Sequence, residues 1–180
     1  MKKIFLLVMV MVMLAVLLAG CGSNLKSDKP LTLEQYNKES LSNDDVTVGM
    51  RFNDTVFLAG TYEAKMKDGK KERLAAVINR DIMARTRKPE MMLLQNSSRS
   101  HVYKNGGIYH IFYTDRYTSV LSSEQKTLQE HNILILDKDK KIAKMFINVK
   151  DDGSYDKSAE GEIMDFKEAD VFDTLKLRHP

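Results

Sequence analysis

The chain has 180 residues, 28 Lys and Arg against 25 Asp and Glu, three Pro, one Cys and no Trp. That length suits one ordinary domain with room for a hydrophobic core. A single Cys excludes an intramolecular disulfide framework and a Cys-cluster metal site, and a net charge of +3 gives no reason to expect nucleic acid as a partner.

Lys2 and Lys3 open the chain, residues 4–18 follow without a polar side chain, and Leu18-Ala19-Gly20-Cys21 closes the segment. A basic start, an apolar stretch and small residues before a cut site describe a secretory signal peptide. The apolar run is short for a membrane span of about 20 residues and lacks a basic flank after it. The tetrapeptide resembles the lipobox of bacterial lipoproteins. In that family the thiol takes a diacylglycerol and cleavage leaves the Cys as residue one, so the resemblance implies Cys21 as the lipid attachment point. It also implies a cell-envelope location, and an outer-membrane one in a Gram-negative source, because Gly22 replaces the Asp of the inner-membrane retention signal. Lys2 and Lys3 would leave with the leader, which brings basic and acidic residues close to balance.

Residues 22–30 are polar and aperiodic and read as a tether with a reach of about 15–18 Å. Thr32 with Gln35 fits a capping box and Leu31 with Tyr36 a hydrophobic staple, so a short helix is expected over residues 33–41. From Val46 the period changes to two, which predicts a strand to Phe52, a turn at Asn53-Asp54 and a second strand from Val56 to Met66. Asp68-Gly69 is a hairpin signal, and residues 73–79 return as a third strand. Residues 80–89 are basic and irregular, and residues 91–94 are a weak strand candidate.

Residues 100–114 predict another hairpin, turning at Asn105-Gly106-Gly107. A two-residue loop at Asn105-Gly106 would set His101 opposite His110. A three-residue loop would oppose Tyr103 to Tyr109 instead. Ser122 with Gln125 suggests a helix cap, with the helix ending near Glu130. Residues 133–136 are apolar throughout, the pattern of a central strand covered on both faces. Residues 142–149 follow as a strand with Ala143, Met145, Ile147 and Val149 on one face, and residues 151–154 turn it. Phe166, Phe172 and Leu175 fit one face of a final helix. The expected fold is a single α+β domain over residues 31–180: an antiparallel sheet of about six or seven strands, built from hairpins and a meander, with short helices.

The common nucleophile, phosphate-binding and zinc-protease motifs are absent. His101 and His110 would need a third ligand to hold zinc, so no metal and no cofactor is expected. The acidic residues between Asp151 and Asp165 lack the Gly and the final carboxylate of a calcium loop and read as a solvated stretch. Arg80, Arg85, Arg87 and Lys88 are candidates for contact with anionic lipid headgroups. Tyr109 and Tyr113 are candidate recognition residues if they face outward, and core residues if they face inward. These readings favour a lipid-anchored, non-enzymatic binding module whose partner is an envelope protein or a cell-wall component. The alternative is a small envelope hydrolase with a dispersed site around His101, His110 and Asp115.

Overall fold

The computed structural model describes residues 24–66, 68–80, 97–99, 101–119 and 126–165. Among them nine strands form one antiparallel sheet: β1 Thr47–Phe52, β2 Thr55–Lys65, β3 Lys71–Asn79, β4 Ser97–Arg99, β5 Val102–Asn105, β6 Ile108–Ser119, β7 Lys126–Asp137, β8 Ile142–Ile147 and β9 Lys157–Met164. The order across the sheet is β4-β3-β2-β1-β9-β8-β7-β6-β5. Among the described residues, helix is confined to a 3₁₀ turn, Asn24–Lys26, a short helix α1, Leu33–Tyr36, and a helical residue at Arg80. The mainly antiparallel character follows the sequence reading; the strand count exceeds the expected six or seven through β4 and β9.

Local turn chemistry sets both hairpins of the first meander. Asn53 takes a φ of 52° between Phe52 and its partner Thr55. Gly69 takes a φ of 82°, and the Asp68 carboxylate accepts from the Lys70 N–H at 3.0 Å. Alternation then assigns the faces. Val46, Val48, Met50, Phe52, Ala59, Ala75 and Val77 share one buried cluster with Val102, Tyr109, Ile111, Tyr113, Leu134, Leu136 and Ala143. These residues come from strands far apart in the sheet order, and β3 and β4 approach β6, so the sheet curls into a near-barrel with this cluster inside.

Strand β9 joins the two halves, pairing with β1 on one side and β8 on the other. It was not foreseen, because Lys157-Ser-Ala-Glu-Gly-Glu carries no apolar alternation and is largely exposed. Backbone bonding to two neighbours holds it instead. Gly161 permits the approach, since a Cβ there would overlap the Arg51 carbonyl oxygen and come within 2.8 Å of the Phe52 ring.

Residues 133–136 are buried on both faces, as their composition predicts. Residues 126–130 correct the expected helix: they extend β7, paired residue for residue with β6 from Ser119 back to Asp115. The face expected for residues 142–149 also breaks. Asn148 takes a φ of 53° and donates its N–H to the buried Asn132 Oδ1 at 2.9 Å. Val149 then packs on the outer face rather than beside Ala143 and Met145. The helix expected over residues 33–41 is a single turn, ending at Asn37. The weak strand at residues 91–94 and the final helix with Phe166, Phe172 and Leu175 lie outside the described residues.

Candidate functional site

The outer face of β5 to β8 is covered by the chain's own N-terminal segment, residues 24–36. Leu25, Leu31 and Tyr36 form a second buried cluster there with Tyr103, Ile133, Ile135 and Phe146. Residues 22–30 are therefore not a free tether in their described part, because Leu25 is 1% exposed. Each bend of this strap has a partner. The Asn24 N–H donates to Glu39 Oε1 at 2.9 Å, Asp28 pairs with Lys144 on β8 at 2.8 Å, and the Leu33 N–H donates to the Asp151 carbonyl at 2.8 Å. The expected capping box is complete: Thr32 Oγ1 accepts from the Gln35 N–H and Gln35 Oε1 accepts from the Thr32 N–H. That box starts the helical turn which drops Tyr36 onto the sheet.

Beneath the strap lies His110, fully buried as the third residue of β6. Its Nδ1 stands 2.7 Å from the Tyr36 hydroxyl and its Nε2 stands 3.2 Å from the Leu25 carbonyl oxygen. A carbonyl only accepts, so Nε2 carries the proton and donates. In the neutral ring Nδ1 then accepts from the Tyr36 O–H, whose oxygen in turn accepts from the Leu31 N–H at 3.3 Å. Burial pushes His110 down to about 4, against weaker opposing bonds to the Leu25 and Ser27 backbone and the attraction of Glu39. Burial likewise pushes the Tyr36 hydroxyl far above its ordinary value.

On the far side of α1 a groove of about 390 Å³ remains between the strap, β5 to β7 and residues 149–151. Its floor is aromatic. Tyr36 lies 5.1 Å from Tyr103 and 4.8 Å from Phe112, and His101 stands edge-on to Phe112 at 5.8 Å. Ile133, Val149 and Leu31 complete the apolar lining. The rim holds two imidazoles, His101 and His131, with one cation, Lys150, and one anion, Asp151. Partial burial lowers the pKa of His101. Leu33, 46% exposed, stands at the edge.

The sequence-derived candidates separate. The β5–β6 register sets Tyr103 opposite His110 and Asn105 opposite Ile108, which neither expected loop provides. The turn is Gly106-Gly107, with Gly106 at a φ of 60°, the sign a II′ hairpin requires at its first central position. His101 thus lies opposite Phe112, whose N–H it accepts at 2.9 Å, and is only a diagonal neighbour of His110. The first is exposed and the second is sealed with both ring nitrogens engaged. Asp115 lies five residues beyond His110 along β6, with its backbone opposite Glu130.

Tyr109 and Tyr113 are corrected from recognition candidates to core, since both rings are buried inside the near-barrel. The Tyr109 hydroxyl donates to Asp44 at 3.3 Å, Lys104 also binds Asp44, and Lys138 sits 4.7 Å over the Tyr109 ring. Arg80 follows β3 and is half-buried. Cys21, Arg85, Arg87 and Lys88 lie outside the described residues. Of the acidic stretch, Asp156 is held low by Asn148 and Lys150. No group of three potential metal ligands occurs among the described residues.

Sequence reasoning missed Leu25, Tyr36 as a hydrogen-bonding group, and His131. The staple pairing of Leu31 and Tyr36 was the one signal pointing there, because it requires a surface for both to pack on. Comparison with protein families, with characterised proteins and with solved structures finds no match.

Proposed function

We propose that the chain is a lipid-anchored envelope lipoprotein acting as a non-enzymatic binding module, and that the groove beside α1 takes an apolar side chain from a segment of an envelope protein. The carrying observation is the groove itself: an aromatic floor, an exposed Leu33 continuous with it, and a rim of mixed sign. One cation and one anion on the rim do not favour a polyanion. An apolar anchor in a desolvated pocket with a polar rim is the common arrangement of a protein-binding hot spot. In the hydrolase reading His110 does not serve as the base, because both of its nitrogens are engaged by the strap. Anchoring through Cys21 rests on the lipobox resemblance. Cys21 precedes Asn24 by three positions, so the lipidated residue would lie within about 11 Å of the strap.

A photo-crosslinking residue at position 33, in membranes of the source cells, is expected to yield a discrete protein adduct. The same residue at Glu63, on the exposed end of β2, is expected to yield none. Equal labelling at both positions, or none at position 33, refutes the groove as the binding surface. Mass spectrometry of the mature N-terminus should find a lipid-modified Cys21, and Cys21→Ser should leave an unprocessed or mislocalised precursor. A Cys21→Ser chain cleaved and retained normally refutes the anchor.

A further inference from the structure

The groove and the lipid attachment share one element, the strap of residues 24–36, and that strap is held by a group able to take up a proton. We propose that His110 is a proton-released latch: its protonation frees the strap from the sheet, dismantles one wall of the groove and lengthens the tether between lipid and body. The proposal rests on the binding role of the groove for its consequence, though not for its mechanism.

Both bonds of the imidazole are made to the strap itself, to the Leu25 carbonyl and the Tyr36 hydroxyl. The latch closes only with the neutral ring, since Nδ1 must accept. A proton on Nδ1 puts two donors face to face. Turning the Tyr36 hydroxyl round makes its oxygen accept from both His110 and Leu31, and sends its own hydrogen among the rings of Tyr103 and Phe112. The Leu25 and Ser27 backbone and Glu39 favour the cation, but burial outweighs them. Opposite His110 stand Tyr103 on β5 and Ile135 on β7. Glu39, just after α1, is the one carboxylate felt by the ring, and its attraction opposes release. Within the strap, Asp28 is turned to Lys144 on β8 and Lys26 is exposed. The Asp28–Lys144 pair, open to solvent at Asp28, holds the strap only weakly.

Leu31, Leu33, Tyr36 and Asn37 form the groove's strap-side wall, so lifting Tyr36 opens it. The next fixed point is Leu41, which bridges to Tyr103. Once free, the roughly 20 residues from Cys21 to Leu41 have a reach of about 22–27 Å.

Hydrogen exchange of the full chain in detergent micelles tests this, with no ligand needed. Strap amides are compared with those of residues 133–136 between about pH 7.5 and about pH 4.5, a window spanning the ordinary histidine value, after correction for intrinsic rates. The strap is expected to lose protection tenfold or more relative to the core as the pH falls. His110→Gln keeps one donor and one acceptor and stays neutral, so its strap protection should not vary with pH. Tyr36→Phe removes the donor that holds the ring neutral and the clash that protonation creates, so its strap protection should begin lower and fall less as the pH drops; a merely structural role would lower protection equally at every pH. A wild-type strap protected throughout, a strap lost only together with the core, or an equal loss in His110→Gln overturns the latch. If His110→Gln does not fold, the size of the pH-dependent change in Tyr36→Phe decides: one equal to that of wild type overturns the latch. Failure here leaves the crosslinking at position 33 unaffected, and failure of that crosslinking leaves the exchange result standing.

Discussion

Gly161→Ala is the sharpest probe of how the near-barrel closes. In an ordinary strand this change stabilises by about 0.4–1 kcal/mol, because alanine has less backbone freedom to lose. Here the opposite sign is expected. The new Cβ would overlap the Arg51 carbonyl oxygen and reach 2.8 Å from the Phe52 ring and 3.0 Å from the Arg51 carbonyl carbon. The obstacle is largely backbone, so β9 must move off β1. The pairing at risk is short: Gly49 with Met164, Met50 with Ile163, and Arg51 with Glu162. At about 0.5–1.5 kcal/mol for each backbone bond lost, with some uncovering of the fully buried Met50, the cost is about 2–4 kcal/mol. For a domain of this size that lowers Tm by roughly 5–15 °C. Thermal and urea unfolding of residues 22–180, followed by far-ultraviolet circular dichroism, reads it directly. Gly107→Ala is the control, because a Cβ there meets only the carboxylate end of Asp139, which can swing away. If Gly161→Ala costs no more than this control, or stabilises, β9 does not press on β1 as described.

The remaining expectations concern the strap and the histidines. Leu25→Ala removes a fully buried side chain and should weaken strap docking by about 2 kcal/mol or more, seen as faster amide exchange over residues 24–36; a change below about 0.5 kcal/mol would return this segment to a free tether. His110 lies at about 4 in the folded chain against an ordinary value of 6.5, so the unfolded chain binds the proton first as the pH falls. Its stabilising contribution is therefore complete above pH 6.5 and lost on descent towards pH 4, by about 3 kcal/mol in all. Urea midpoints across that window should fall in wild type and fall less in His110→Gln, and parallel curves would refute it. Zinc at modest excess should leave Tm unchanged, because His101 and His110 do not face each other. A tight site at a hundredfold excess over Kd would add about 2.7 kcal/mol, and its appearance would show that the histidines meet.

Much of the local structure was legible. Turn residues with positive φ at Asn53 and Gly69, the alternation flanking them, and the Thr32–Gln35 box each encode their geometry within a few residues. The same short range explains the misreadings. Residues 126–130 look like a helix after a cap, but β6 offers an unbroken row of backbone partners and the strand continues. In Asn105-Gly106-Gly107 either adjacent pair can form a tight turn, and a shift in that choice changes which residues face each other. The observed register buries Tyr109 and Ile111 inside while placing His110 under the strap.

Neighbours along the chain decide the mainly antiparallel sheet, its first turns, the twice-covered strand at residues 133–136 and the capped turn at Thr32. How distant segments meet emerges only in the folded chain. The joining of the two halves by β9 depends on backbone bonding, which is nearly blind to side-chain pattern, and on the small size of Gly161 against Arg51. The strap and its groove depend on a polar-looking segment, residues 22–30, whose single Leu25 finds a covered place on the sheet. The state of His110 depends on burial, which no residue beside it in the chain specifies, and on Tyr36 and Leu25 arriving 74 and 85 positions away.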